Sequence, residues 1–271
     1  MNIKQIRENW LDSADKDLNA SIEMWNSVSD KYNEIPIPDW HENKFLRLLN
    51  DFAQVSNEMS SLDIGCGAGN YSIALAEKVN KSVGIDLSPN MIAYAKNKAT
   101  ERGVNNVEFI CEDWNAFDIK KAGFENSFDI VFAHMTPAIC SAAAFEKMIA
   151  CSKGYCLMAK PTRRKDSVLD QIRRIADLDE TDKSFDEAIS YAFDILWQLG
   201  YCPKFTYYDE VWESNKTPEE AYAWYIGRVK TRKKLAEADE ARLKDYLQSI
   251  AVDGKIAETI TTTIVTMYWQ K

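Results

Sequence analysis

Three glycines at alternate positions, Gly65, Gly67 and Gly69, stand in the run LDIGCGAGNYSIALAEK from Leu62 to Lys78. Glycine adopts φ values that other residues avoid, and it leaves no Cβ between a ligand and the main chain. An apolar strand, a glycine turn and a helix N-terminus together offer unpaired N–H donors at a positive dipole end. The spacing is G-x-G-x-G, unlike the G-x-G-x-x-G of pyrophosphate-binding dinucleotide folds. Asp86 follows 17 residues after Gly69, closing the segment VGID. At a strand end beside such a turn, its two oxygens suit a vicinal diol such as a ribose; the alternative is a cap on the helix that begins at Pro89. Asp113-Trp114 comes after the next apolar segment. An acid there can accept from an exocyclic amine while the ring covers a purine face, or the two can be a loop acid and a packing tryptophan. His134 ends the segment FDIVFAH and is the one histidine in the expected crevice, which makes it a candidate base. Its alternative is a strand-end histidine bonded to backbone.

These residues need elements to hold them. From residue 61 the pattern alternates strand and helix. Strands are expected at Leu62–Ile64, Ser82–Asp86, Val107–Cys111, Phe128–Ala133 and Gly154–Lys160, with helices near 70–79, 89–102, 141–152 and 167–177. Ser88-Pro89 is a helix start, with Ser as N-cap and Pro at the first helical position. Such alternation predicts a doubly wound α/β fold: a parallel sheet with helices on both faces. Before it, residues 1–59 read as helical, broken by Pro36 and Pro38, and are expected to form an N-terminal helical cap on a domain spanning 60–271. After residue 180 come an amphipathic helix from Phe185 to Leu199, a strand at Phe205–Trp212, a helix opened by Thr217-Pro218-Glu219-Glu220, and a last strand at Thr259–Trp269.

The chain has 271 residues, 46% hydrophobic and 28% charged, which fits a folded enzyme and excludes a disordered chain. Thirty-three Lys and Arg against 42 Asp and Glu leave a net charge of −9, so no general attraction to nucleic acid or anionic lipid is expected. The six cysteines show no C-x-x-C pair and no zinc-type spacing with His41 and His134, so they read as reduced thiols and no metal site is expected. The N-terminus lacks an apolar leader and no apolar run reaches membrane-spanning length, which reads as a cytoplasmic protein, monomeric or homodimeric.

The segments LDIGCGAGNYSIALA, VGIDLSPNMIAYAK, CEDWNAF and FDIVFAHMTPAI resemble, in order and spacing, the successive motifs of class I S-adenosylmethionine-dependent methyltransferases. The resemblance covers roughly Met59 to Thr162. It implies a Rossmann-like sheet of seven mostly parallel strands, with one antiparallel strand near the end and a helical insertion before it. It also implies S-adenosylmethionine as cofactor and S-adenosylhomocysteine as product. Asp63, Gly65, Cys66, Gly67 and Gly69 would face the amino acid end of the cofactor, and Asp86 would bind the ribose hydroxyls. Leu87 and Met91 would border the adenine, Asp113 would take its amine with Trp114 beside it, and His134 and Met135 would border the methyl group. The run His-Met-Thr-Pro at 134–137 differs from the Asn/Asp-Pro-Pro-Tyr/Phe of amino-methylating DNA enzymes, and no Pro-Cys pair follows the fourth strand.

The expected acceptor is a small molecule, with a macromolecule (tRNA or protein) or a non-catalytic cofactor-binding role as alternatives. Trp25, Tyr32, Tyr222 and Tyr225 are candidate substrate-binding aromatics, on a lid made by the N-terminal helices and residues about 167–250. The cationic run from Arg228 to Lys234 reads as a solvated helix surface, or more sharply as an anion contact.

Overall fold

The computed structural model describes residues 1–12, 17–178 and 183–271; residues 13–16 of the expected helical cap and 179–182 of the expected lid lie outside the described residues. The chain enters through α1 (Ile3–Asn9), α2 (Leu18–Ser27), α3 (Ser29–Glu34) and α4 (Lys44–Ala53). The alternating part follows: β1 (Ser60–Ile64), α5 (Asn70–Ala76), β2 (Lys81–Asp86), α6 (Pro89–Glu101), β3 (Val107–Cys111), β4 (Phe128–His134), α7 (Ala142–Cys151) and β5 (Ser152–Asp166). It ends with α8 (Leu169–Ile175), α9 (Lys183–Gln198), β6 (Lys204–Lys216), α10 (Pro218–Lys230), α11 (Glu237–Ser249) and β7 (Ile256–Gln270). Among the described residues no helix is long and apolar enough to cross a membrane.

The strands form one seven-stranded sheet in the order β3-β2-β1-β4-β5-β7-β6. β1 to β5 pair in parallel, and β7 runs antiparallel to both β5 and β6. This is the doubly wound, mostly parallel seven-stranded sheet expected from the sequence. The strand order reverses between β1 and β4, so the crevice above their C-terminal ends is where such a fold takes a ligand.

Both faces are covered, and the period of two along each strand assigns residues to them. Ile130, Phe132, Leu157 and Ala159 pack with Phe45, Leu46 and Leu49 of α4 and Leu75 of α5. Val131, Ala133, Cys156 and Met158 pack on the other side with Phe145 and Met148 of α7 and Ile195 of α9. Ile6 and Trp10 belong to this second layer. The expected single N-terminal cap is therefore divided three ways. α1 is buried with α7 and α9, α4 covers the opposite face, and only α2 and α3 lie over the strand ends against α6 and α10.

β5, β6 and β7 extend to 15, 13 and 15 residues, longer than their apolar segments suggest. The reason is register. β6 and β7 pair without interruption from Lys204↔Tyr268 to Lys216↔Ile256, so backbone bonding carries polar positions such as Asp209 and Glu213 into the strand on an exposed edge. These long ends rise past the parallel strands and carry α8, α10 and α11, whose own apolar cluster includes Leu169, Ile172, Tyr225, Ile226, Leu243 and Leu247.

Candidate active site

The three glycines of the turn after β1 have positive φ, at 72°, 53° and 79° for Gly65, Gly67 and Gly69. Their surroundings separate their roles. A Cβ on Gly65 would lie 1.9 Å from Thr136 Oγ1, and one on Gly69 would lie 2.7 Å from the Ala95 Cβ and 2.8 Å from the Phe109 ring. Those two glycines allow the turn to pack against the loop after β4 and against α6 and β3. A Cβ on Gly67 would meet nothing within 4 Å. Gly67 is thus the position where the main chain is bared to the crevice. The turn is fastened to β2 by the Gly65 and Cys66 amides, which donate to the Ile85 carbonyl at 2.8 and 3.1 Å. The Cys66 thiol turns toward Gly84 of β2, and burial pushes its pKa up.

Asp86 stands at the end of β2 facing this turn. Its Oδ2 accepts from the Gly67 amide at 2.9 Å and its Oδ1 from the Ser88 amide at 2.9 Å. Burial raises its pKa, and the amides of Ser88, Gly67 and Leu87 oppose the rise. The helix cap that the sequence left as an alternative role belongs to its neighbour: Ser88 Oγ accepts from the Met91 amide at 3.2 Å. Asp63 lies deeper, 2% exposed, and accepts from Ser72 Oγ at 2.7 Å. Burial pushes its pKa up to about 7, with Asp86 adding to the rise. Its carboxyl ties β1 to the first turn of α5 from below, so any influence on a ligand passes through the turn it holds.

The loop after β3 lies beside Asp86, since the Glu112 amide donates to the Asp86 carbonyl at 2.9 Å. Asp113 is half-buried there, and its Oδ1 accepts from the Asn115 amide at 3.1 Å. Trp114 departs from expectation. Its indole is 2% exposed, stacks on Phe117 and donates to the Ala144 carbonyl of α7 at 3.1 Å. The ring is a core residue and offers no face to a purine. Leu87, half-buried, supplies apolar surface next to Asp86, while Met91 is buried against Val28 and Ala68.

His134 ends β4 between two rings, 4.5 Å from Phe45 and 4.2 Å from Tyr71 by centroid. Burial lowers its pKa to about 3. The expected base is therefore a neutral imidazole, suited to accept a hydrogen bond and poorly suited to keep a proton. Met135 follows at φ 55°, where the chain turns away from the sheet. Two lysines that the sequence reading missed hold the loops flanking the crevice. Lys147 donates to the carbonyls of Trp114, Asn115 and Phe117 at 2.7, 3.0 and 2.9 Å. Lys160, 2% exposed, donates to those of Thr136 and Ile139 at 3.3 and 2.9 Å, and burial lowers its pKa to about 8. Lys160 follows Ala159, the β5 residue that pairs with His134, and this adjacency was the available signal.

The crevice is roofed. Trp25 of α2 meets Tyr32 of α3 edge-on at 5.9 Å and Trp224 of α10 at 6.2 Å, and the two tryptophans sit over Ala68 and Met91. Asn26 Oδ1 accepts from Ser88 Oγ at 2.7 Å, and Asp30 accepts from the Tyr94 hydroxyl, so α2 and α3 are bonded to α6. Tyr222 and Tyr225, expected at the substrate, are elsewhere. Tyr222 donates to Glu240 of α11, and Tyr225, 0% exposed, donates to Glu258 of β7. On α10, Ala221, Tyr225 and Val229 form the buried stripe, so the neighbouring stripe of Trp224 and Arg228 faces α2. A separate cavity of about 550 Å³, bordered by Tyr246, Ile250 and Lys255, shares no residue with this crevice.

A nucleoside with an amino acid tail fits what is present. Gly67 bares the backbone where a Cβ would otherwise stand, Asp86 keeps unused lone pairs on both oxygens for hydroxyls, and Asp113 and Leu87 flank it. A family model described as a methyltransferase domain matches residues 55–226. A demethylmenaquinone methyltransferase of Lactococcus lactis is 31% identical over 109 residues, which is 38% of this chain and 43% of the relative. Aklanonic acid methyltransferase DauC of a Streptomyces species is 38% identical over 89 residues, 31% of this chain and 38% of the relative. The chain thus spans less than half the length of these curated relatives. The solved structure of BH2331 from Bacillus halodurans, 16% identical, aligns with 84% of this chain and 99% of its own at a TM-score of 0.52, which shows a common fold. Since the family model takes in well over half of the chain, and its motifs meet at one edge of the sheet, the chain belongs to the class I S-adenosylmethionine-dependent methyltransferases.

Proposed function

We propose that this protein transfers the methyl group of S-adenosylmethionine to a small-molecule acceptor enclosed beneath α2, α3 and α10. The observation that carries this reading is the roof. Trp25 and Trp224 pack over Ala68 of the glycine turn with Tyr32 edge-on to Trp25, and α2 and α3 are bonded to α6 at Ser88 and Tyr94. A macromolecular acceptor calls for an open groove; an aromatic-walled enclosure suits a metabolite. The two relatives above, named for demethylmenaquinone and aklanonic acid, support a small acceptor, and the net charge of −9 gives no general attraction to RNA.

When bound, the cofactor supplies a methyl group already activated on a sulfonium. The chain's own task is to bind, align and keep dry. Asp86 and the Gly67 backbone hold the nucleoside, and Asp113 and Leu87 select its base. Asp63, Lys147 and Lys160 keep the three bordering loops in place. His134, neutral beside Phe45 and Tyr71, accepts a hydrogen bond from the acceptor's nucleophile and orients its lone pair. Closure of the aromatic roof excludes water, and alignment supplies the main rate advantage.

Turnover of methyl-labelled S-adenosylmethionine against a metabolite extract, with and without added RNA and protein, tests the proposal. Label is expected in the low-mass fraction. Label confined to RNA or protein would overturn it.

A further inference from the structure

The cationic run from Arg228 to Lys234 is not a single solvated surface. Lys230 pairs with Glu240 of α11 at 2.8 Å, and Lys233 donates to the Ala176 carbonyl at 2.7 Å. Arg228 points the other way. Its guanidinium lies 5.0 Å from the Trp224 ring, on the wall that Trp224 forms with Trp25 and Tyr32. Among the described residues no carboxylate comes within 4 Å of it.

A second arginine is re-aimed by an irregularity of β5 and feels the charge of Arg228. The pairing of β5 with β7 passes from Thr162↔Thr263 to Lys165↔Thr261, so one extra residue is inserted, and Arg163 takes φ 48°. Such a bulge re-aims the side chains around it. It is held by the Arg163 amide, which donates to Asp186 Oδ1 at 3.1 Å. Arg164 then lies 5.8 Å from the Trp212 ring and donates through Nη2 to Asp166 Oδ2 at 3.2 Å, while its buried Nε has no partner. Asp166 is already committed, since its Oδ1 accepts from the Val168 and Leu169 amides.

The electrostatics agree with this grouping, since Arg228, Arg164 and the Tyr32 hydroxyl each feel the others. Burial, with Arg164 and Arg173 as like charges, lowers the pKa of Arg228 to about 10, while Asp166 opposes the drop. Tyr32 keeps 36% of its surface exposed, and burial raises the pKa of its hydroxyl. Arg228 and Arg164 oppose that rise and Asp86 adds to it, so the hydroxyl is within electrostatic reach of both arginines and of the end of β2. A half-buried guanidinium with no carboxylate in contact, sharing the field of the already committed Asp166 with a second one that has an unpaired N–H, is costly unless an anion arrives. Planar forks of donors match carboxylate and phosphate oxygens.

We propose that Arg228 and Arg164, with the Tyr32 hydroxyl, form an anion subsite, and that the methyl acceptor is a small molecule bearing a carboxylate or phosphate group. This rests on the reading that the acceptor occupies the roofed crevice. The subsite anchors the charged end, so the group to be methylated extends toward His134.

The test uses the full chain saturated with S-adenosylhomocysteine, titrated by calorimetry with inorganic phosphate and with citrate at constant ionic strength. Saturable binding is expected. Arg228→Gln should weaken it at least tenfold, Arg228→Lys less, and Lys230→Gln not at all, with the affinity for S-adenosylhomocysteine unchanged within threefold in each. In parallel, a metabolite extract is split on an anion exchanger before the methyl-label assay. Acceptor activity is expected in the retained fraction, with a raised KM in Arg164→Gln. Intact S-adenosylhomocysteine binding without anion binding, or acceptor activity only in the unretained fraction, overturns the anion subsite and leaves methyl transfer standing. Failure of the wild-type chain to bind S-adenosylhomocysteine overturns both.

Discussion

The Gly67 amide donates to Asp86 Oδ2 at 2.9 Å, so the bared position of the glycine turn and the carboxylate at the end of β2 are locked to each other. The bond fixes the acceptor oxygens before any ligand arrives. Asp86→Ala is expected to weaken S-adenosylhomocysteine binding by about 1.5–3 kcal/mol, as for hydrogen bonds to a charged group, and to loosen the turn by leaving the Gly67 N–H unpaired. Calorimetry on a variant shown to be folded by circular dichroism decides it. Unchanged affinity would remove Asp86 from the nucleoside.

The three glycines should separate by experiment. Gly65→Ala and Gly69→Ala drive a methyl into Thr136 and into Ala95 and Phe109, on top of a positive φ. Each is expected to lose about 2–4 kcal/mol of stability. Gly67→Ala has room, so its stability loss is expected to be about 1 kcal/mol, and its main effect is on ligand affinity. Urea unfolding paired with S-adenosylhomocysteine titration reads both. Equal stability losses at all three positions would refute the division of roles.

Asp63 and His134 should bend the pH dependence of stability in opposite directions. The folded-state pKa of Asp63 is raised to about 7, so its contribution is complete below about 4 and is lost as pH rises through 7. That of His134 is lowered to about 3, so its contribution is present above about 6.5 and is lost as pH falls through 3. Each slope is at most about 1.4 kcal/mol per pH unit. Relative to wild type, ligand-free Asp63→Asn should gain stability as pH rises from about 4 to 7, and His134→Phe should gain it as pH falls from about 6.5 to 3. Urea midpoints across that range check both signs.

The imidazole of His134 should stay neutral in solution. Its ring proton resonances are expected to show no titration between pH 8 and 5. A midpoint near 6.5 for His134 would return it to the role of a proton-accepting base.

The roof can be opened without breaking the fold at Asn26, but not by truncation. Removing residues 1–35 would take away Ile6 and Trp10, 0% and 6% exposed in the layer with α7 and α9, so that deletion is expected to unfold the chain. Asn26→Ala removes only the acceptor for Ser88 Oγ and the Asn90 amide. Single-turnover methylation is expected to slow at least tenfold, with S-adenosylhomocysteine affinity changed less than threefold, since closure acts on alignment and water exclusion. A full-rate Asn26→Ala enzyme would detach α2 from the reaction.

What the sequence by itself determined is local. Period-two apolar runs, amphipathic stretches, the cap at Ser88 and the glycines of the turn act within a few residues, so the order of strands and helices and the place of Asp86 could be read along the chain. Tertiary structure decided which way side chains face. Trp114 turns inward because the Ala144 carbonyl of α7 meets its indole, and Tyr225 leaves the crevice because Glu258 of β7 awaits its hydroxyl. Arg228 enters it because Tyr225 and its stripe occupy the other side of α10. α1 became core because the layer of α7 and α9 left a place for Ile6. None of these choices has a signature within a few residues. Each depends on an element far along the chain packing on one side of a helix or strand, and that contact settles which of several chemically similar side chains reaches the site.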